Sequence, residues 1–457
     1  MEETWELTDD VKRMLGDPKK ALLAMAIPMI VATIVQSMNN IIDAIWVSGI
    51  STAALAATGV AFPYFFIVMG VSNGLGAGAS QALGRRLGAQ DYEGTHRVAS
   101  QTFVMSLLGA IVLTVVLSLL VEPLMAASGA EDYLSECVEY ALPLFLGIPA
   151  ILMSGVISAL LRSEGASKRS MMIQLLAAGM NMVLDPIFIY VFGWGIGGAA
   201  LATVVSMAVS TIVGLYWYFV SKSTFVRIPL RGFRFDRQVD RDILKVGIPA
   251  SMEMIVMSLV CLVLNWIIVM VDPVDGLAIY STGWRALDLL MIPAMAFGFS
   301  LVPICAAAYG AGKLDKLRQT FGYGLKFGTA TMLIMTLFTL VAAPLIVALF
   351  TYSDATKDLA PGMILFLRIS ALFLPVITVE YASSGLFQSL GMGTRSLVVT
   401  LVMNLLRIPI CSVLIGFGEL SLIWYGITVS EIIGAFIIGL WALRTLRGLD
   451  RRAGITA

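Results

Sequence analysis

The sequence predicts an all-α integral membrane protein of twelve transmembrane helices, in two pseudo-symmetric six-helix lobes around a central cavity. Three observations predict it. The 457 residues are 58% hydrophobic and only 13% charged, with a mean hydropathy of +0.90, far from the composition of soluble domains. Apolar runs of about the 20 residues needed to cross a bilayer recur along the chain. The second half repeats the first at a nearly constant offset of about 222 residues.

Taken in order, residues 1–20 form a polar segment of mixed charge ending in Lys19 and Lys20. It lacks the short apolar core and small-residue cleavage site of a signal peptide, so the first apolar run is expected to stay in the mature protein. The runs are 21–47, 54–81, 98–125, 133–161, 170–192, 196–220, 242–271, 277–307, 324–351, 360–389, 397–417 and 423–446. Their connections alternate in charge. Arg85, Arg86 and Arg97, then Arg162, Lys168 and Arg169, then Lys222 to Lys245, then Lys313, Lys316 and Arg318, then Arg395 mark one side as cytoplasmic. The loops between them hold Glu131, Asp132, Glu136 and Glu139, or Asp272 and Asp275, with Lys357 as their basic residue. Both termini then lie in the cytoplasm, in agreement with Arg444, Arg447, Arg451 and Arg452, and the protein is expected in the cell membrane as a multi-pass chain. This gives a cytoplasmic N-terminal segment (1–20), a first lobe (21–220), a basic cytoplasmic linker (221–241), a second lobe (242–446) and a cytoplasmic tail (447–457).

The repeat is visible residue by residue. Leu22 to Pro28 matches Ile243 to Pro249, Gly88-Ala89 matches Gly310-Ala311, and Met180 to Ile187 aligns without gaps on Met403 to Ile410. An even number of helices per repeat keeps both halves in one orientation, related by an axis along the membrane normal. Where the first half has Asp43 and Asp185, the aligned residues of the second are Leu264 and Ile408. The frame is duplicated and its chemistry is not.

Asp43 and Asp185 are the residues on which function is expected to rest. A carboxylate in a membrane core costs about 2.5–3.5 kcal/mol on insertion scales unless it is partnered. Each has an asparagine one helical turn earlier, Asn39 and Asn181, on the same helix face. Thr203, with Ser206 and Ser210, follows on the next helix; close helix packing through small residues is the alternative role for these three. A pocket of Asp43, Asn181, Asp185 and Thr203 is all oxygen, which suits Na⁺ or a proton rather than a soft metal. Pro28 removes a hydrogen bond from the first helix and is a candidate hinge. Gly74, Gly76 and Gly78 lie inside a membrane helix with no preceding strand and read as packing glycines. In the second half, Glu253, Arg285, Asp288, Arg368, Glu380, Arg407 and Glu431 are expected to form internal ion pairs, with Glu253 and Glu380 as candidate additional coupling or substrate groups. The scattered Cys137, Cys261, Cys305 and Cys411 read as small core residues without metal or redox spacing. His96, the one histidine, falls in a basic loop and reads as solvated.

These residues resemble the multidrug and toxic compound extrusion (MATE) transporters, in the superfamily that also holds oligosaccharide and lipid flippases. The resemblance covers about 20–446 and rests on the two six-helix halves, Asn39 to Gly49 (NNIIDAIWVSG), the segment 70–88 (GVSNGLGAGASQALGRRLG), the stretch 161–169 (LRSEGASKR) and Asn181 to Pro186. In one branch of that family a first-lobe site of this composition binds the coupling Na⁺ or H⁺. The resemblance therefore implicates Asp43, Asn181, Asp185 and Thr203, with bending of the first helix at Pro28. Another branch uses acids of the seventh and tenth helices, where this chain has Glu253 and Glu380.

The function expected is a secondary antiporter, in which H⁺ or Na⁺ entry neutralises the two aspartates and an amphipathic, often cationic compound leaves by alternating access. No cofactor beyond the coupling ion is expected, and no ATP loop of the strand-to-helix type is present in the sequence. Its partners are small amphipathic substrates and membrane lipids, with neither nucleic acid nor an obligate protein partner indicated. A lipid or lipid-linked oligosaccharide flippase is the nearest rival, because Arg285, Arg368 and Arg407 suit a phosphate. An intramembrane prenyltransferase is remote: it needs a further aspartate four residues after each Asn-x-x-x-Asp, where this chain has Val47 and Ile189.

Overall fold

A computed structural model describes residues 6–128, 133–273, 275–349, 351 and 357–452. Glu131 and Asp132 of the expected outer loop, and the side chains of Arg451 and Arg452, lie outside the described set. The described residues are mostly helical with no strand among them, and the chain is an all-α membrane protein. It divides into two compact units, Met1–Ser251 and Met252–Ala457.

The first unit opens with the short α1 (Asp9–Leu15), followed by α2 (Pro18–Ser48), α3 (Thr52–Gly88), α4 (Tyr92–Leu119), α5 (Val121–Ala127), α6 (Leu134–Leu146), α7 (Ile148–Ser163), α8 (Ser167–Pro186) and α9 (Gly195–Leu215). The early starts are written in the sequence. Asp17 accepts from Lys20 N at 2.9 Å, with Pro18 as the first helical residue of α2. Ser51 caps α3 through Ala54 N at 3.0 Å and Asp91 caps α4 through Gly94 N at 2.9 Å. A long helix, α10 (Arg237–Val271), runs from the first unit into the second. The second unit continues with α11 (Gly276–Gly310), α12 (Leu314–Ala348), α13 (Ala360–Ala371), α14 (Leu374–Ser389), α15 (Gly393–Leu405), α16 (Arg407–Leu414) and α17 (Leu420–Arg452). Its core gathers Leu264, Leu287, Phe366, Phe373 and Trp424, with Phe366 edge-on to Trp424 at 4.8 Å.

Among the described residues ten helices are long and apolar enough to span a bilayer alone; the fourth and tenth expected spans are bent pairs, α6 with α7 (50°) and α13 with α14 (54°). The sequence predicts one helix for each, and each is two. The bends have a local cause: Pro149 and Pro375 each sit at the second position of the following helix, where proline cannot continue the preceding hydrogen-bond ladder. Bilayer solvation explains the outer faces. On α12, Leu337, Val341 and Leu345 follow one another at four-residue spacing and are 65%, 82% and 70% exposed, an apolar stripe that only lipid can cover favourably. Pro28 is buried inside an uninterrupted α2.

The stretch between α9 and α10 is a strap stitched to the first unit. Arg169 donates to Ser223 O (2.8 Å), Val226 N to Glu164 (2.7 Å), Arg227 N to His96 Nδ1 (3.1 Å), Ser100 to Pro229 O (3.2 Å) and Gln101 to Arg234 O (2.7 Å). His96 is thus buried at the start of α4 and accepts a backbone hydrogen bond, instead of being solvated. An exposed strap would leave these peptide groups to water; packed, they need partners. The glycines of α3 do pack. A Cβ on Gly74 would sit 2.4 Å from Gly247 O, and one on Gly78 2.2 Å from Ile243 O, so α3 and the first part of α10 meet backbone to backbone. Cys137, Cys305 and Cys411 are buried, whereas Cys261 is exposed.

Candidate cation site in the first unit

The polar cluster is built by α2, α8 and α9, which pack on one another in the first unit. A four-residue step along a helix keeps side chains on one face, so α2 presents Asn39 with Asp43 and α8 presents Asn181 with Asp185. Asn39 Nδ2 donates to Asn181 Oδ1 at 2.8 Å. Asn181 Nδ2 in turn donates to Asp185 Oδ1 at 2.8 Å and reaches Thr203 Oγ1 at 3.4 Å. Thr203 itself donates back to Ala199 O at 3.3 Å. Asn181 is therefore the hub, joining three helices through one amide. Ser206 and Ser210 stay outside the cluster and bond Ala202 O and Ser154, in the packing role.

Asp185 is fully buried, Asn181 and Asn39 nearly so, and Asp43 half-buried. The Asp43 carboxyl closes on that of Asp185 within hydrogen-bonding range. Two carboxylates have no donor between them, and Asp185 Oδ2 and Asn39 Oδ1 are buried without a partner. Such a group costs about 1–3 kcal/mol, more when charged. A proton shared by the two carboxyls, or a small hard cation held by these oxygens, removes that cost. The cluster is acceptor-rich, and what it lacks is positive charge. Among the described residues no group of three or more His, Cys, Asp or Glu side chains could hold a metal ion.

Two further side chains belong here. Tyr140 on α6 has its phenol within electrostatic range of both carboxylates. Tyr190, in the π turn Ile187–Val191 that follows α8, donates to Trp46 O at 2.6 Å and ties the end of α2 to the segment beyond Asp185. Neither is marked in the sequence beyond a hydroxyl in a membrane-helix segment.

Glu253 and Glu380 belong to the second unit. Glu253 accepts from Ser396 at 2.6 Å, beside a Ser384–Ser396 contact of 2.7 Å that Gln388 also joins. Of the ion pairs expected there, Arg407–Glu431 is formed, with Arg407 Nε 2.7 Å from Glu431 Oε1. Arg285, Asp288 and Arg368 are instead exposed.

Comparison with known proteins gives the family. The MatE family model matches residues 28–187 and 249–413, one block in each half of the duplicated chain. The multidrug export protein MepA of Staphylococcus aureus (strain N315) is 25% identical over 416 residues, 89% of either chain. A multidrug resistance MATE family transporter of the MOP superfamily, solved in an outward-facing conformation, superposes with a TM-score of 0.95 at 33% identity, over 98% of this chain and 100% of that one. A MOP superfamily transporter from Pyrococcus furiosus superposes with a TM-score of 0.94 at 33% identity, over 97% of this chain and 99% of that one. That structure was described as having a binding pocket of reverse polarity suggesting a different function.

Proposed function

The chain belongs to the MatE family of membrane transporters, and from that premise we propose that it is a cation-coupled antiporter exporting amphipathic, often cationic drugs and xenobiotics. The observation that carries the reading is the Asp43–Asp185 pair, with Asp185 Oδ2 and the neighbouring Asn39 Oδ1 unpartnered, linked through Asn181 to α2 and α9. H⁺ or Na⁺ binding satisfies the pair; its loss leaves two carboxylates repelling each other across α2 and α8. The helices are therefore drawn together or loosened by the ion. A cation drives export by binding one facing state better than the other, and the hydrogen bonds of this cluster are what differ between its loaded and unloaded forms. Pro28 lies in α2 about four turns before Asp43, where a bend would carry the change along the helix. The protein sits in the cell membrane with its basic loops, strap and both termini in the cytoplasm, following the charge asymmetry of the loops.

Purified protein in liposomes tests this. A pH gradient and a Na⁺ gradient are imposed separately and efflux of a fluorescent organic cation is followed. Efflux driven by one of the gradients and lost in Asp43→Asn and Asp185→Asn is the expected result. Equal efflux with neither gradient, or undiminished efflux in both variants, would contradict coupled exchange.

A second reading, a lipid or lipid-linked oligosaccharide flippase, has one observation in its favour. Arg285 on α11 and Arg368 on α13 are exposed within apolar spans and have no ion-pair partner among the described residues, as a phosphate-binding face would require. Translocation of a sugar-lipid in the same liposomes separates the two.

A further inference from the structure

The two halves of the chain bury different charges at one position of the repeat. The gapless sequence alignment sets Asp185 against Ile408, but burial sets it elsewhere. Along α8 and the turn after it the buried residues include Asn181, Asp185 and Ile189; along α15 and α16 they include Met403, Asn404, Arg407 and Cys411. Before the break Asn404 stands 223 residues from Asn181, whereas after it Arg407 and Cys411 stand 222 from Asp185 and Ile189, the value of the Gly88–Gly310 match. The break at Leu406, where α15 stops and α16 begins, absorbs the single residue. Arg407 thus occupies the register of Asp185. Asn404, the aligned counterpart of Asn181, turns its amide back to Thr400 O of its own helix at 2.9 Å, so no amide hub forms here.

Around Arg407 the surroundings are those of a held cation. It is 7% exposed and Glu431 is fully buried. Its Nε and a terminal nitrogen both engage Glu431 Oε1, and its guanidinium lies 5.3 Å from the Trp284 ring centroid, a cation–π contact. Glu431 Oε2 is buried without a partner. Glu380 on α14 lies within electrostatic range of both. A protonated Glu380 would leave one positive and one negative charge, a neutral set requiring no ion from outside.

We propose that Arg407 is a built-in cation: its guanidinium supplies, at the register of Asp185, the positive charge that the first unit must take from solution. The second unit then keeps one charge state through the cycle, and the external coupling ion is confined to the first unit. This rests on the coupled-exchange reading above. Arg407 acts as a positioning residue that sets how many ions are needed, and it touches no substrate in this account.

The test is the coupling ratio, cations exchanged per substrate, read from the substrate gradient sustained by a known ion gradient in liposomes. Wild type is measured first; absence of any gradient-driven transport there sinks the coupled-exchange reading itself and is seen before any variant is made. In Arg407→Gln, Glu431 loses its partner, takes a cation from solution in one facing state and releases it in the other, so the ratio rises by one cation per substrate. Arg407→Lys keeps the wild-type ratio. In Arg407→Gln/Glu431→Gln both charges are absent and nothing is required from solution, so transport persists at the wild-type ratio. An unchanged ratio in Arg407→Gln overturns the proposal. So does an altered ratio in Arg407→Lys. If Arg407→Gln does not fold, the double variant decides: persistence at the wild-type ratio supports the proposal, and loss of transport by folded double variant overturns it.

Discussion

Asn181 carries more of the first-unit site than its uncharged side chain suggests. Its oxygen accepts from Asn39 and its nitrogen serves Asp185 and Thr203, so Asn181→Ala leaves Asn39 Nδ2 and Asp185 Oδ1 unpaired. Each such loss costs about 1–3 kcal/mol, and thermal unfolding in detergent should show a clear fall in Tm. Combining it with Asn39→Ala should cost less than the sum of the two, because they break one bond in common; strict additivity would show that the amides act independently. Asp43, Asn39, Asn181 and Asp185 were legible in the sequence because a charge in an apolar run is conspicuous and four-residue spacing fixes its face. Tyr140 and Tyr190 were not, since an aromatic residue in a membrane helix is ordinarily packing. Arg407 was visible as a charge, but its register was hidden by the helix break, which a gapless alignment cannot register.

Among the elements, the strap and the α3–α10 contact make separate predictions. Glu164, in the turn after α7, is buried, and burial pushes its carboxyl from the ordinary 4.5 up to about 8. Arg169 and the hydrogen bond from Val226 N oppose that rise, while Asp10 adds to it. The docked strap therefore holds more protons than the undocked one. Its stability is full below about pH 4.5, falls as pH rises through the interval to about 8, and is level above that. Tryptic cleavage after Arg231 or Arg234, normalised to a free peptide at each pH, should accelerate across this interval in wild type and much less in Glu164→Gln. An identical pH profile in the two would count against Glu164 as the sensitive group. The glycine contact gives a steric test. Gly74→Ala puts a Cβ 2.4 Å from Gly247 O, an overpacking that typically costs about 1–3 kcal/mol. Gly59→Ala, in the same helix with nothing within 4 Å, should be neutral or slightly stabilising. Equal effects on Tm would mean that α3 and α10 do not meet as described. The spans themselves were readable from hydropathy. The two bends were not, because proline is common in membrane helices and marks a kink only where neighbouring helices hold it. The strap escaped the sequence reading for a different reason: its basic residues look solvated, and what binds it is backbone, which no side-chain pattern reports.

At the scale of the whole molecule, duplication gives two units of one frame with unlike charges. The first holds the buried Asp185 beside the half-buried Asp43 with no cation between them; the second buries an acid with an arginine. One frame can thus offer a switchable unit and a fixed one, and the difference is legible only when sequence repeat and burial register are combined. The claim on which the account turns is that substrate movement and cation movement are one event at the Asp43–Asp185 pair. Running the exchange backwards tests it most directly: an imposed gradient of substrate across liposomes, with no ion gradient, and a record of H⁺ and Na⁺ flux. The account predicts a cation flux opposite in direction to the substrate in wild type and none in Asp43→Asn/Asp185→Asn. Substrate moving without counter-flux of either ion, or equal counter-flux in that double variant, would contradict it.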